Sequence, residues 1–379
     1  MKNIHPLLDP EKQRQAERYE KEKRLVGLAG LGSMVAALLA FYATGLSAGA
    51  ASVFSGKSVV WTFLVYGASL LVFVSAVNLP VGFLSGYVHE HKWKFSNQTL
   101  GSWLAEKAKS LAVSLVIIYG VGGLLLWILA SFPRTWWLIA GLAMACVSVI
   151  FATLFPILVL PLFNKYTPIE NRDLVDALDK ILTRGGLKSG GFYKEDMSRQ
   201  TKKENAFLAG LGKTRRIVLG DTLMDRMSIP EIVSVIAHEV GHFRHKHIWK
   251  SLILGTGQQV VVFFFFSLIA RALYPDFSSS TRWTLAHLPI FVLILGALSG
   301  FLFGPLGLAL SRKFERQADA YALGNIEDKR DFMTALAGLA DRNLSNAYPS
   351  WWVKLLYYSH PPMGERLEMA DRFTRKTLR

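Results

Sequence analysis

Residues 238–273 read HEVGHFRHKHIWKSLILGTGQQVVVFFFFSLIARAL, and this one stretch joins a metal motif to a membrane span. His238 and His242 stand four residues apart, so on a helix they share one face, a turn apart, and both rings can reach one ion. Glu239 sits beside the first histidine, where it can hold a proton without itself ligating. Two neutral nitrogens leave zinc Lewis acidic, and a nearby carboxylate can take a proton from water whose pKa the ion lowers to about 7. The pattern predicts hydrolytic zinc chemistry and requires a third ligand elsewhere in the chain.

Working back from the motif, Ser228-Ile229-Pro230-Glu231 carries a helix start signal: a Ser cap, Pro in the first turn and Glu three residues after the Ser. Ile232, Val233, Val235 and Ile236 give that helix an apolar side. A core helix that happens to carry two histidines is the bland alternative, and HExxH on a capped helix is far more specific than that. His245 and His247 follow closely and read as supporting or interfacial groups. A metzincin would need a histidine at position 248, which is Ile.

Working forward, the motif runs into one of six apolar stretches long enough to cross a bilayer, which takes roughly 20 residues each. They cover Leu25–Leu46, Val59–Leu79, Leu111–Ala130, Trp136–Leu160, Ile248–Leu273 and Leu285–Leu310. The chain is 51% hydrophobic with ten Trp and 24 Phe, bunched rather than spread, which excludes an ordinary soluble core. Lys92, Lys94, Lys107 and Lys109 after the second span, and the basic segment after the fourth, contrast with the nearly bare connections around Lys57, Arg134 and Arg271–Arg282. By the positive-inside rule, both termini and the catalytic segment face the cytosol. The net charge of +15 then reflects basic loops against anionic lipid, and no nucleic-acid-binding motif is present. A polar stretch of about 24 residues precedes the first span, unlike a secretory leader. The single Cys146 lies inside the fourth span and excludes a disulfide framework or a cysteine metal site.

The expected organisation is a polar N-terminal segment (1–24), a four-span region (25–160), a protease segment with hairpin and motif helix (161–247), a two-span hairpin (248–310) and a C-terminal protease segment (311–379). Asn205–Gly210 and Arg216–Leu219, flanking Gly212-Lys213-Thr214, read as a short β-hairpin whose edge could pair with an extended peptide. After the sixth span, Glu315 and Asp319 share a helical face. Glu315 can complete a His-His-Glu set, and Asp319 can accept the free ring N–H of a ligating histidine. His89-Glu90-His91 places its histidines on different helical faces and does not make a second metal site.

Together these residues resemble the type I CAAX prenyl endopeptidase family, integral-membrane gluzincins with HExxH and a downstream ExxxD. Pro161-Leu162-Phe163-Asn164, Asn205-Ala206-Phe207, Arg216–Leu223, Ser359-His360-Pro361-Pro362 and Arg366 recur there in the same order, as does the 89–104 loop with Gln98-Thr99-Leu100-Gly101. The resemblance covers approximately residues 10–375. It implies an all-α polytopic membrane protein of about six spans enclosing a chamber, with a gluzincin-like protease domain holding a small β-hairpin or sheet. It further implies one Zn2+ bound by His238, His242 and Glu315, Glu239 as general base and Asp319 orienting a ligand. His360 and Arg366 would act beside the metal, and Asn205, Ala206 and Phe207 would lie along the substrate. Two departures are visible: six spans against seven in the best-known members, and Phe207 where Tyr is usual.

The function implied is cleavage of a peptide or membrane-protein substrate, possibly prenylated, near the cytosolic membrane face. A broad-specificity quality-control protease is the alternative within the class, and a non-enzymatic six-span transporter or receptor the alternative outside it. An intramembrane protease of the site-2 type would place HExxH inside a span, whereas here Arg244 and Lys246 flank it.

Overall fold

A computed structural model of the chain describes residues 4–53, 58–188, 190–210, 215–274, 277 and 280–374; Lys57 and Gly212-Lys213-Thr214 lie outside them. Six helices among these residues are long and apolar enough to cross a membrane: Pro10–Ala43, Val59–Lys92, Leu100–Ser131, Trp136–Phe163, His247–Leu273 and Thr281–Asn325.

Four of them extend well beyond their apolar stretches: the second runs on from Leu79 to Lys92, the third begins at Leu100 rather than Leu111, and the first and sixth are longer still. The first does not begin at Leu25. It starts at Pro10, behind Asp9, whose side chain accepts from the backbone N–H groups of Glu11 and Lys12. Residues 10–24 are therefore the polar end of the same helix. Likewise the sixth span does not stop at Leu310 but continues to Asn325. Hydropathy marks only the lipid-facing part of a helix, while caps and tertiary contacts decide where it ends. A wide π-helical turn at Leu298–Phe303 interrupts this last helix just before Pro305. Proline has no N–H for the carbonyl one turn back and crowds it, which loosens the ladder there.

Between the fourth and fifth spans lies a four-stranded sheet: β1 (Tyr166–Pro168), β2 (Phe192–Glu195), β3 (Ala206–Ala209) and β4 (Arg216–Gly220). Its order is β1-β2-β4-β3, with β2 parallel to β4 and the other two pairs antiparallel. The expected hairpin is thus the β3–β4 pair of a larger mixed sheet, and β3 is an edge.

The sheet packs on the motif helix (Ile229–Arg244). That helix starts with a capping box in which Ser228 and Glu231 satisfy each other's backbone N–H groups. A core of Leu174, Leu178, Ile217, Leu219, Ile232, Ile236, Phe332, Leu336 and Leu367 joins it to the sheet and the C-terminal helices.

Candidate metal centre

The motif helix crosses the helix that carries Glu315 (Gly304–Asn325) at Gly241. A Cβ on Gly241 would lie 2.8 Å from Ala318 Cα and 2.9 Å from its carbonyl oxygen. The glycine between the two motif histidines is what lets the helices touch backbone to backbone. This close approach brings Glu315 to the histidines. His238 Nε2 and His242 Nε2 are 3.1 Å apart, His238 Nε2 is 3.2 Å from Glu315 Oε2, and His242 Nε2 is 3.3 Å from Glu315 Oε1.

Those separations fit a metal. Ligand atoms about 2.0–2.1 Å from zinc at tetrahedral angles stand about 3.3 Å from one another. Glu315 Oε2 is buried without a hydrogen bond, because its approach to His238 lacks a donor geometry. Among the described residues, His238, His242 and Glu315 are the one group of this kind that converges. Burial opposes charge on His238, but the hydrogen bond to Asp319 and the negative charge of Glu315 beside it outweigh it and push the ring's pKa up to about 9. The same negative surroundings favour a cation at Nε2.

Each histidine is held from behind. Asp319, fully buried, accepts from His238 Nδ1 at 2.7 Å, which leaves the Nε2 lone pair facing the cluster. Gln317 Oε1 accepts from His247 Nε2 at 2.9 Å. His247 Nδ1 is then the acceptor for His242 Nδ1 at 3.0 Å, and His242 Nε2 likewise faces inward. The place of His247, five residues after His242, marks it as a supporting group, whereas Gln317, 70 residues further on, leaves no sign in the sequence. His245 stacks on His247, with ring centroids 5.4 Å apart, and is not in the cluster.

His360 reaches the open side of the site, Nε2 to Glu315 Oε1 at 3.2 Å, with its Nδ1 2.8 Å from Ser359 Oγ. Arg366 lies beside the cluster, as expected, lining the same cavity with Nη2 3.4 Å from His238 Nδ1. Its buried guanidinium also clasps Asp319, Nε to Oδ2 at 2.8 Å and Nη2 to Oδ1 at 2.6 Å. A cavity of about 440 Å³ opens beside the cluster, lined by Glu239, His238, His360, Asn205 and Ala206. Phe207 is not part of that lining. Side chains alternate along a strand, and Ala206 and Leu208 take the face that packs on the core.

With this geometry in place, comparison with known proteins is specific. Residues 168–374 match the model of peptidase family M48, and residues 2–165 match one described as the CAAX prenyl protease N-terminal region with five membrane helices. Four of the six candidate spans fall in that second region, one fewer than its description. CAAX prenyl protease 1 of Saccharomyces cerevisiae is 31% identical over 323 residues, covering 79% of this chain and 70% of the yeast protein. The uncharacterized metalloprotease YhfN of Bacillus subtilis is 28% identical over 307 residues, 80% of this chain and 72% of that protein. The crystal structure of S. mikatae Ste24p matches with a TM-score of 0.85 at 27% identity, covering 97% of this chain and 91% of that one.

Proposed function

The chain belongs to peptidase family M48 with a CAAX prenyl protease N-terminal region, and from that premise we propose that it binds one zinc through His238, His242 and Glu315 and cleaves extended peptides laid along β3. It is an integral multi-pass membrane metalloendopeptidase, so the transporter or receptor reading falls away. The observation that carries the ligand assignment is the convergence of three side chains, the two Nε2 atoms 3.1 Å apart and each 3.2–3.3 Å from one of the two Glu315 oxygens, backed by Asp319 and by His247.

Zinc at that position supplies a Lewis acid that polarises the scissile carbonyl and makes water acidic enough to deprotonate near pH 7. Everything else comes from the chain. The substrate backbone pairs with Asn205 and with the start of edge strand β3 at Ala206, which brings the scissile carbonyl to the cavity. Glu239 takes the proton of the attacking water and passes it to the departing amine. His360, at the mouth of the cluster, donates to the oxygen that gains negative charge in the tetrahedral state. Asp319, with Arg366 behind it, keeps His238 in the tautomer that ligates.

We place the catalytic face and both termini on the cytosolic side, on the strength of the lysines that follow the second and fourth spans. The substrate class we favour is a CAAX-type peptide, prenylated or not, since the yeast relative is a CAAX prenyl protease. The test is to assay purified protein, with and without a chelator, on a farnesylated CAAX peptide and an unlipidated control. Chelator-sensitive cleavage with faster turnover of the farnesylated peptide is expected. Equal rates would favour a broad-specificity protease, and cleavage indifferent to chelation would sink the metal assignment.

A further inference from the structure

The residues just before β3 are gripped from opposite sides. Lys203 Nζ donates to Glu90 Oε2 at 2.7 Å and to the Tyr19 hydroxyl at 2.6 Å, and that hydroxyl donates to Glu90 Oε1 at 2.8 Å. The ammonium also lies over the rings of Phe95 and Tyr19, 4.6 and 5.0 Å from their centroids. Tyr19 belongs to the first spanning helix, and Glu90 to the end of the second. Backbone bonds tighten the junction: Lys202 N–H donates to the Phe95 carbonyl at 2.9 Å and Asn97 N–H to Gln200 at 3.0 Å.

The next residue points the other way. Glu204, fully buried, meets Arg342 Nη2 at 2.8 Å, and its own backbone N–H and carbonyl are both taken by the Asn343 side chain at 2.9 and 3.0 Å. Asn205 then gives its carbonyl to Gly220 N–H of β4 at 2.9 Å. Three successive residues thus tie the start of the edge strand to the membrane helices, to the Lys329–Arg342 helix and to β4. A cavity of about 850 Å³ runs along this junction, lined by Tyr19, Lys203, Glu204 and Asn205. Glu204, Asn205 and Tyr358 also line the cavity beside the metal cluster, so the two spaces adjoin.

A half-buried Lys–Glu pair is a weak source of stability, and the best-attested use of such a pair is to fix register. We infer that Lys203, held by Glu90 and Tyr19, is a positioning residue that sets the height of β3 against the catalytic cluster and so decides which peptide bond is presented. This rests on the reading of β3 as the substrate strand. One residue along a strand is about 3.4 Å, and a misplacement of about 1 Å can cost about a hundredfold in rate.

The test uses full-length protein in lipid nanodiscs with an unlipidated peptide that the parent enzyme cleaves, reading metal content, kcat, KM and product masses. Lys203→Met and Glu90→Gln are expected to keep full metal content, lose about tenfold or more in kcat/KM, and spread cleavage over neighbouring bonds. Lys203→Arg should restore the single product. A structural role alone would lower folded yield without moving the cleaved bond. Lys203→Met with the parent product and kcat/KM within about twofold overturns the inference. Should Lys203→Met not fold, Tyr19→Phe removes a single hydroxyl from the same cluster, and an unshifted product pattern there overturns it equally. Turnover by Glu239→Gln would instead sink the peptidase mechanism, and the positioning role with it.

Discussion

Asp319 Oδ1 is shared between His238 Nδ1 at 2.7 Å and Arg366 Nη2 at 2.6 Å, so one buried carboxylate oxygen links a helix near the C-terminus to the first residue of the metal motif. The three groups come from three different helices, and Asp319 is 0% exposed. Such a carboxylate does two jobs: it sets the histidine tautomer, and it neutralises a buried arginine. Substituting Asp319→Asn should weaken zinc affinity by about 10–100-fold. Asp319→Ala should also cost about 3–5 kcal/mol, because it strands the Arg366 charge. Competitive zinc titration and thermal unfolding measure the two, and parent-like affinity in Asp319→Asn would argue against the orienting role.

Glu239→Gln keeps the size of the side chain and loses the base. Metal content should stay at one ion per chain while kcat falls by about 10²–10⁴-fold. Elemental analysis alongside single-turnover kinetics decides it, and an active Gln variant would remove Glu239 from the mechanism.

Glu315→Ala takes away the only carboxylate in the converged set. Bound zinc should drop well below stoichiometric after dialysis. Full occupancy would mean that another group ligates, and His245, stacked on His247, would need to swing away to do so.

Gly241→Ala inserts a methyl where the Ala318 backbone already sits within 3 Å. The two helices must part, at a cost of about 1–3 kcal/mol or more, and Glu315 moves with them. We expect a variant that is less stable and binds zinc more weakly although no ligand has changed. Unaltered Tm and affinity would show that the crossing is not as close as the contact distances imply.

His247→Phe keeps a ring to stack on Phe314, now 4.2 Å from the His247 centroid, but has no acceptor for His242 Nδ1–H. Zinc affinity should fall about tenfold with kcat on the loaded enzyme little changed. If His247→Phe binds zinc as the parent does, the Gln317 relay plays no part in holding His242.

Residues read in isolation carry some of this and not the rest. Six spans, the capped motif helix, and His238, Glu239, His242 and Glu315 as a candidate set are all legible, because each is a local pattern of hydropathy, helical periodicity or ligand spacing. The starts and ends of the membrane helices are not. Pro10–Arg24 and Ser311–Asn325 are polar, and only their caps and neighbours show that the helices run through them.

Arg366 shows the limit from the other direction. Its type fits a group beside the reaction and it does line the cavity there, but its clasp on buried Asp319 is nowhere in the sequence. Phe207 is similar: one residue from Ala206, yet outside the cavity lining, because a strand turns successive side chains to opposite faces.

The sequence alone determined the chemistry: HEVGH on a capped helix, followed within a few residues by a span, commits the chain to hydrolytic metal chemistry at a membrane. Only the tertiary structure decided how that chemistry is aimed. Gly241 against Ala318, Gln317 against His247, and Lys203 against Glu90 and Tyr19 are contacts between residues far apart in the chain. Periodicity and spacing report on neighbours along the chain, whereas register and tautomer are set by whatever the fold brings within about 3 Å, the length of a hydrogen bond.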